Sequence, residues 1–458
     1  MKILVCGAGD VGWHAVERLL RLGEHELAVL DTNRSRLENL ANQFDVSYFV
    51  GSCTLPSSYE ELRIKDFDLL VAATARDEAN LIASDLASTM HRKQSGPNRP
   101  ALRTIVRIHD ERFMREASDI RSIFQATHLL CPEEVTVRSI VGQLRNPGAV
   151  RLEQGTGGVV SVQSIELSNT ATVGQKLRDL ELPGGARVVA LRRDGESIFP
   201  GPGTELKPGD KILLAGPTDT FESARRAIEG ERARAKRLVI GGSSQMARRL
   251  CEALAGTPWH ITVFDPDPKA AHAMADAFDH IDVEQADPTD RAVFDEAEID
   301  KADAFVSLTE SDEHNLLASS TAHSRGVPNT VAVVKSANFE HLGKALGITK
   351  VLVPRTVAAR EIQELLNEEN VSRIPGKFME GISGWRIRLP ESSPLAGVEL
   401  TSAGLSGRFI VLARCRDNVW DFARSNEPLG AGDQLLVVGR SELEDEIPST
   451  FLESGSPA

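Results

Sequence analysis

The feature that most constrains this chain is that it repeats itself. Thr74-Ala75-Arg76-Asp77-Glu78-Ala79-Asn80-Leu81 returns as Thr309-Glu310-Ser311-Asp312-Glu313-His314-Asn315-Leu316, an offset of 235 (309 − 74). At the same offset Thr54, in Gly51-Ser52-Cys53-Thr54, meets Thr289, in Ala286-Asp287-Pro288-Thr289. A second element behaves likewise. Pro208-Gly209-Asp210-Lys211-Ile212-Leu213-Leu214 resembles Gly430-Ala431-Gly432-Asp433-Gln434-Leu435-Leu436, an offset of 223 (432 − 209) that Gly174 and Gly397 share. Two kinds of unit therefore alternate, A-B-A′-B′, and each must be a structural module copied whole. The smaller second offset implies that the second A unit is about a dozen residues shorter. Part of that difference is the polar stretch His91–Pro100, which has turn formers and no apolar period and reads as a loop.

A chain of 458 residues is too long for one core. The A units alternate strand and helix. Lys2–Cys6, Leu27–Leu30, Val46–Val50, Leu69–Ala73 and Ile105–Ile108 read as short buried strands. Val11–Leu22, with Val16, Leu19 and Leu20 on one face, and Arg34–Phe44 read as helices between them. Such alternation implies parallel sheets with right-handed crossovers. The B units instead show strands such as Arg187–Leu191 and Lys211–Ala215 between tight Gly/Pro turns. Glu222–Arg237, carrying Arg225, Arg226, Arg232, Arg234, Lys236 and Arg237, reads as a basic helix joining the halves, its charges a solvated face. The expected fold class is α/β, with two Rossmann-like doubly wound parallel-sheet domains, each followed by a small mixed α/β C-terminal lobe. The boundaries read as 1–130, 131–220, a linker at 221–236, 237–353, 354–445 and a tail at 446–458.

Gly7-Ala8-Gly9-Asp10-Val11-Gly12 leaves the first strand and opens the first helix, and Asp31 closes the next strand 19 residues later. That is the dinucleotide fingerprint in its proper setting. Gly7 permits the sharp turn, Gly9 lets a pyrophosphate approach the backbone, and Gly12 lets helix and sheet pack closely. The pyrophosphate would rest on free N–H groups at a helix N-terminus. Asp31 would accept hydrogen bonds from ribose hydroxyls and repel a 2′-phosphate, favouring NAD over NADP, although Arg34 and Arg36 weaken that preference. The same carboxylate suits the ribose of ATP or ADP. Ala73 and Thr74, at the carboxyl edge of the fourth strand, would line the site. Asp77 reads as a helix N-cap, and Arg107 could reach a phosphate or a carboxylate.

The second A unit keeps Gly241-Gly242-Ser243-Ser244 and Asp265 but replaces the later glycines with Gln245-Met246-Ala247. Its ability to hold nucleotide is left open.

Composition excludes several alternatives. A net charge of −14 argues against nucleic acid as partner. Cys6, Cys53, Cys131, Cys251 and Cys415 are scattered without CxxC pairs, which fits a reducing compartment and no metal site. No apolar run approaches the length of a membrane span, so no direct insertion is expected. An NAD-dependent oxidoreductase would need a proton-transfer group beside the nicotinamide, and no histidine occurs between 129 and 259. The chain is expected to sense nucleotide rather than transform it, with an NAD-dependent oxidoreductase acting on a small substrate as the alternative reading.

The order Gly7–Gly12, Asp31, Gly51, Thr74–Asn80, Arg107 and Pro208-Gly209-Asp210, repeated once, resembles the TrkA family over roughly residues 1–445. The family comprises cytosolic NAD-binding subunits of bacterial Trk-type potassium uptake systems, built from two RCK domains. The resemblance implies a non-enzymatic regulator, peripheral at the inner face of the cell membrane. It implies a TrkH/TrkG-type channel subunit as partner and a homo-oligomer, a tetramer by family pattern. Carried over by position, Gly7 to Val11, Asp31, Ala73, Thr74 and Arg107 would contact NAD(H) or ATP/ADP. Ser52 and Cys53 would follow the third strand at the adenosine end. Gly241 to Ser244, Asp265 and Thr309 hold the matching places in the second half. Pro132–Arg145 and Pro354–Leu366 would be the crossover helices by which such domains pair.

Overall fold

In the computed structural model the described residues are 1–21, 25–95, 99–145, 150–152, 160–167, 172–230, 236–257, 259–366, 370–374, 378–416, 419–423 and 426–452. The chain lays down four sheets in succession. The first holds β1 (Lys2–Cys6), β2 (Glu26–Asp31), β3 (Ser47–Val50), β4 (Leu69–Ala72), β5 (Arg103–Arg107) and β6 (His128–Leu130). All neighbours are parallel, in the order β3-β2-β1-β4-β5-β6. Strand order reverses beside β1, and ligand crevices open at the carboxyl ends of strands where such a reversal occurs. Ile3, Leu4, Val5 and Cys6 are all fully buried, as expected of a parallel strand covered on both faces.

The second sheet is antiparallel: β7 (Val150–Leu152), β8 (Val160–Glu166), β9 (Arg187–Arg193), β10 (Glu196–Ile198) and β11 (Lys211–Pro217), in the order β10-β9-β11-β8-β7. The third repeats the first with β12 (Lys236–Gly241), β13 (Trp259–Phe264), β14 (Ile281–Glu284), β15 (Ala304–Ser307), β16 (Thr330–Val333) and β17 (Lys350–Leu352), ordered β14-β13-β12-β15-β16-β17. The fourth repeats the second with β18 (Val371–Arg373), β19 (Ile382–Arg388), β20 (Phe409–Arg416), β21 (Val419–Phe422) and β22 (Gln434–Arg440), ordered β18-β19-β22-β20-β21. Even the irregularity is copied. The β9–β11 register shifts at Leu213/Leu214, and the β20–β22 register shifts between Val411 and Ala413.

These sheets sort into two compact units, Met1–Val141 with Ala235–Leu366, and Gly142–Arg234 with Asn367–Ala458. Each unit draws on both halves of the chain. In the first, helix Pro354–Leu366 lies against helix Asp10–Arg21. Ala358, Ile362 and Leu366 join Val11, Ala15, Val16 and Leu19 in one buried cluster. Arg18 Nε donates to Gln363 Oε1 at 2.6 Å, and Arg138 pairs with Glu361 at 3.4 Å. Val135, Ile140, Val141 and Leu144 of helix Pro132–Arg145 are buried as the apolar period requires.

In the second unit Val160, Val162, Val189 and Leu213 share a core with Ile382, Leu412, Leu436 and Val438. Its corners are pinned by a duplicated ion pair. Arg193 holds Asp210 in a fork of 2.8 and 2.7 Å, and Arg416 holds Asp433 with the same distances. Each aspartate also takes a backbone N–H, from Lys207 and Gly430, both at 2.7 Å. Burial alone would raise the Asp210 pKa, but the Arg193 fork and the Lys207 N–H outweigh it and hold the carboxyl below its usual range.

Two expectations need correction. The basic linker helix is shorter than its composition suggests, spanning Phe221–Glu229 and ending at Gly230 with φ +76°. Glycine at that left-handed position stops a helix. Lys236 and Arg237 belong to β12, and Arg232 and Arg234 lie outside the described residues. The polar stretch after residue 90 is also less loop-like at its start, since helix Asp77–Gln94 continues into it. His91 is buried there, and burial holds its pKa below the usual histidine value. Gly96, Pro97 and Asn98 lie outside the described residues.

Candidate functional site

The first glycine turn begins where β1 ends, and its three glycines do different work. Gly7 has φ +107°, and a Cβ there would sit 2.9 Å from the Thr74 nitrogen. A Cβ on Gly12 would run into the Gly7 carbonyl oxygen. Gly7 and Gly12 are thus demanded by the fold. A Cβ on Gly9 would meet nothing within 4 Å, so Gly9 leaves open space above the turn. The Ala8 N–H donates to Asp31 Oδ2 at 2.6 Å, and the Asn33 N–H donates to Asp31 Oδ1 at 2.8 Å. Asp31 therefore ties the end of β2 to the turn and aims its carboxylate along the cleft.

The opposite wall is built around one buried amide. Asn80 Oδ1 accepts from the Thr74 N–H (2.8 Å) and hydroxyl (2.7 Å), while Nδ2 donates to the Thr74 carbonyl (3.1 Å) and the Arg107 carbonyl (3.0 Å). Arg107 Nη1 donates to the same Thr74 carbonyl at 3.0 Å. Asp77 is the first residue of its helix rather than the N-cap, which is Arg76. Its carboxylate accepts the N–H groups of His109 and Asp110, at 2.9 and 2.7 Å, and so fixes the chain leaving β5.

Between these walls lies a cleft of about 690 Å³. It brings together Gly7, Ala8, Gly9, Asp10, Val11, Asp31, Ser52, Cys53, Ala73, Thr74 and Arg107. Gly12 stands behind it, packing the helix. Trp13, Thr32, Asn39 and Arg76 also face the cleft. No motif singles out Trp13, Thr32 or Asn39, which come together only through the topology, while Arg76 lies inside the repeated segment. Beneath Cys53 sit Cys6 and Tyr59, and the Tyr59 hydroxyl donates to the Cys53 carbonyl at 2.6 Å. A hydrogen bond shared between the two thiols lowers the Cys53 pKa. The same bond, reinforced by burial, raises that of Cys6. Asp10, at the mouth, pairs at 3.1 Å with Arg355 of helix Pro354–Leu366.

The second lobe reproduces the scaffold. Gly242 has φ +95° and lies against Thr309. Thr309 and Asn315 repeat the amide clamp at 2.9, 2.7 and 3.0 Å, with a further 2.7 Å bond to the Val333 carbonyl. Asp312 accepts the Lys335 and Ser336 N–H groups just as Asp77 serves β5. Gly241, Gly242, Ser243, Ser244, Asp265 and Thr309 line a smaller cleft of about 320 Å³. The Ser243 N–H and hydroxyl both reach Asp265 Oδ2, at 2.7 and 2.5 Å. Ser244 caps its own helix, its hydroxyl accepting from the Ala247 N–H at 3.4 Å. Among the described residues no group of three or more His, Cys, Asp or Glu is placed to hold a metal ion, and no helix is long and apolar enough to cross a membrane.

Two parallel sheets, each with a glycine turn and an acidic strand end at its switch point, define a tandem Rossmann-type protein. The TrkA-N domain model matches residues 3–128 and 238–354, and the TrkA-C domain model matches 162–229. The chain belongs to the TrkA family. It is 24% identical over 452 residues to a Trk system potassium uptake protein TrkA homolog of Archaeoglobus fulgidus, covering 98% of this chain and 100% of that one. It is 27% identical over 465 residues to the Trk system potassium uptake protein TrkA of Halomonas elongata, covering 97% of each. Among solved structures, the GsuK RCK domain shares the fold with a TM-score of 0.55 and 18% identity, covering 98% of this chain and 94% of that one. The GsuK channel bound to NAD gives a TM-score of 0.56 at 18% identity, with 98% and 78% covered.

Proposed function

We propose that the first cleft takes an adenine nucleotide, NAD(H) or ADP/ATP, and that its occupancy regulates a membrane potassium-uptake partner of the TrkH/TrkG type. The observation that carries the reading is the open space over Gly9, flanked by the helix N-terminus at Asp10 and the Asp31 carboxylate. A diphosphate there meets outward N–H groups and the positive end of the helix dipole. Asp31 accepts from the ribose hydroxyls, and Arg36, Arg76 and Arg107 supply positive charge around the phosphates. The curated relatives carry potassium-uptake names, and one solved structure of the same fold is described as bound to NAD. Such a regulator acts from the cytoplasmic face as a homo-oligomer, a tetramer by family pattern.

The ligand works by shifting a population, to the extent that it binds two arrangements of the protein unequally. A typical coupling of about 1–3 kcal/mol changes the output by several-fold to about a hundredfold. The first cleft is wired to the second lobe. Asp77 fixes His109, whose carbonyl accepts from Arg249 Nη2 at 3.2 Å. Arg249 Nη1 also donates to Cys131 Sγ at 3.0 Å. The test is calorimetric titration of purified protein with NADH, NAD, ATP and ADP, alongside Gly9→Val. We expect binding in the wild type and none in a variant that melts normally. A Gly9→Val protein that binds as before, or a wild type that binds none of the four, refutes the site.

A further inference from the structure

The two clefts share a backbone scaffold and differ in charge. In the first lobe Arg36, Arg76 and Arg107 face the cleft. The hydrogen-bond registers locate their counterparts. Asn33 and Asp267 both donate an N–H to the strand-end aspartate, Arg76 and Ser311 both donate an N–H to the wall threonine, and Asn80 and Asn315 both reach the carbonyl at the strand end. Arg36 thus becomes Ala270, Arg76 becomes Ser311, and Arg107 becomes Val333. The turn residue Ser52 becomes Asp287, whose Oδ1 takes the Thr289 N–H at 2.8 Å where the Ser52 hydroxyl takes that of Thr54. The second cleft is lined by Asp265, Asp267, Asp287 and Glu310, and neither lysine nor arginine is among its described lining residues. Among the described residues, Glu310 alone of these four pairs with a lysine or arginine, Lys335 at 2.5 Å.

The helix terminus has changed as well. In the first turn Gly9 precedes the helix with no side chain to cover its free N–H groups. In the second, Ser244 stands there and turns its hydroxyl onto the Ala247 N–H, while the Ser243 hydroxyl is drawn to Asp265. The serine N-cap takes up one of the free donors, the Ala247 N–H, that an anion would otherwise use. A diphosphate entering this cleft would meet the Asp265, Asp267 and Asp287 carboxylates, with no lysine or arginine among the described lining residues, and a helix terminus that has lost one of its free donors to Ser244.

We infer that each chain binds a single diphosphate nucleotide, in the first cleft, and that the second cleft is an electrostatically reversed copy that rejects one. The inference rests on the proposed function and adds its stoichiometry and its electrostatic basis. Titrating the full-length protein with ADP, up to about a hundredfold above the Kd of the first transition, counts sites per chain. Two variants accompany it, Gly9→Val and the double substitution Arg36→Ala with Arg76→Ser, which writes the second lobe's residues into the first. One molecule per chain in the wild type and none in either variant is expected, with unchanged thermal melting. Two molecules per chain in the wild type, or one retained in both variants, overturns the inference while leaving nucleotide binding by this protein intact. No ADP bound by the wild type overturns both.

Discussion

Replacing either clamp asparagine by alanine separates scaffold from ligand chemistry. Asn80 is fully buried and Asn315 nearly so, at 0% and 1% exposure. Each amide serves a threonine N–H and hydroxyl, that threonine's carbonyl, and a strand-end carbonyl. In the first lobe the Thr74 carbonyl keeps Arg107 Nη1 after the amide is lost. The groups abandoned by Asn80→Ala are then the Thr74 N–H and the Arg107 carbonyl. An orphaned buried backbone group costs about 1–3 kcal/mol, so two cost roughly 2–6 kcal/mol. Asn315→Ala strands three groups, the Thr309 N–H, the Thr309 carbonyl and the Val333 carbonyl, for roughly 3–9 kcal/mol. Urea denaturation followed by far-ultraviolet circular dichroism should therefore show losses in both variants, the larger in Asn315→Ala. Calorimetry with ADP should not: Asn80→Ala loosens the Thr74 wall and weakens binding at least tenfold, about 1.4 kcal/mol, whereas Asn315→Ala leaves affinity unchanged. Equal loss of affinity in the two variants, or a stability cost below about 1 kcal/mol in both, would refute the clamp reasoning.

Further expectations concern single groups. Gly12→Ala forces a methyl onto the Gly7 carbonyl and should cost about 1–3 kcal/mol by urea denaturation, more than Ala247→Gly at the corresponding place in the second lobe. Asp10→Asn removes a carboxylate from the mouth of the first cleft and should tighten ADP binding several-fold in low salt, an effect that fades as ionic strength rises. Burial holds the pKa of His128 and of His91 below the unfolded histidine value, so folding favours the neutral rings. Stability should be full above about pH 6.5 and fall as pH drops through that value toward the folded pKa. Thermal melts between pH 7.5 and 5.5 should show the decline, and His128→Gln should flatten it.

What was legible in the sequence was main-chain chemistry and spacing. The glycine turn could be read because its requirements, a left-handed Gly7 and a close approach at Gly12, allow only one residue type. The amide clamp was visible as a repeated segment, though its purpose was not, since Asn80 meets Thr74 and Arg107 only after β4 and β5 pair. Of the arginines, Arg107 is legible as a strand-end residue and Arg36 as a neighbour of Asp31, whereas Arg76 is not, and the strand order gathers all three at one crevice. Ser244 reads in the sequence as part of a retained phosphate turn, whereas in the structure its hydroxyl caps its own helix. The linker helix was overextended because charge composition outweighed a stop signal in plain view, the glycine after Glu229.

The interleaving of the two compact units has a genetic corollary. A single-copy relative would have to build each unit from two identical polypeptides, and every pocket would then occur twice with the same residues. Joining the copies end to end releases that symmetry. One pocket can accumulate substitutions while its twin is held constant, and the shared core still forms because both contributions arrive tethered to each other.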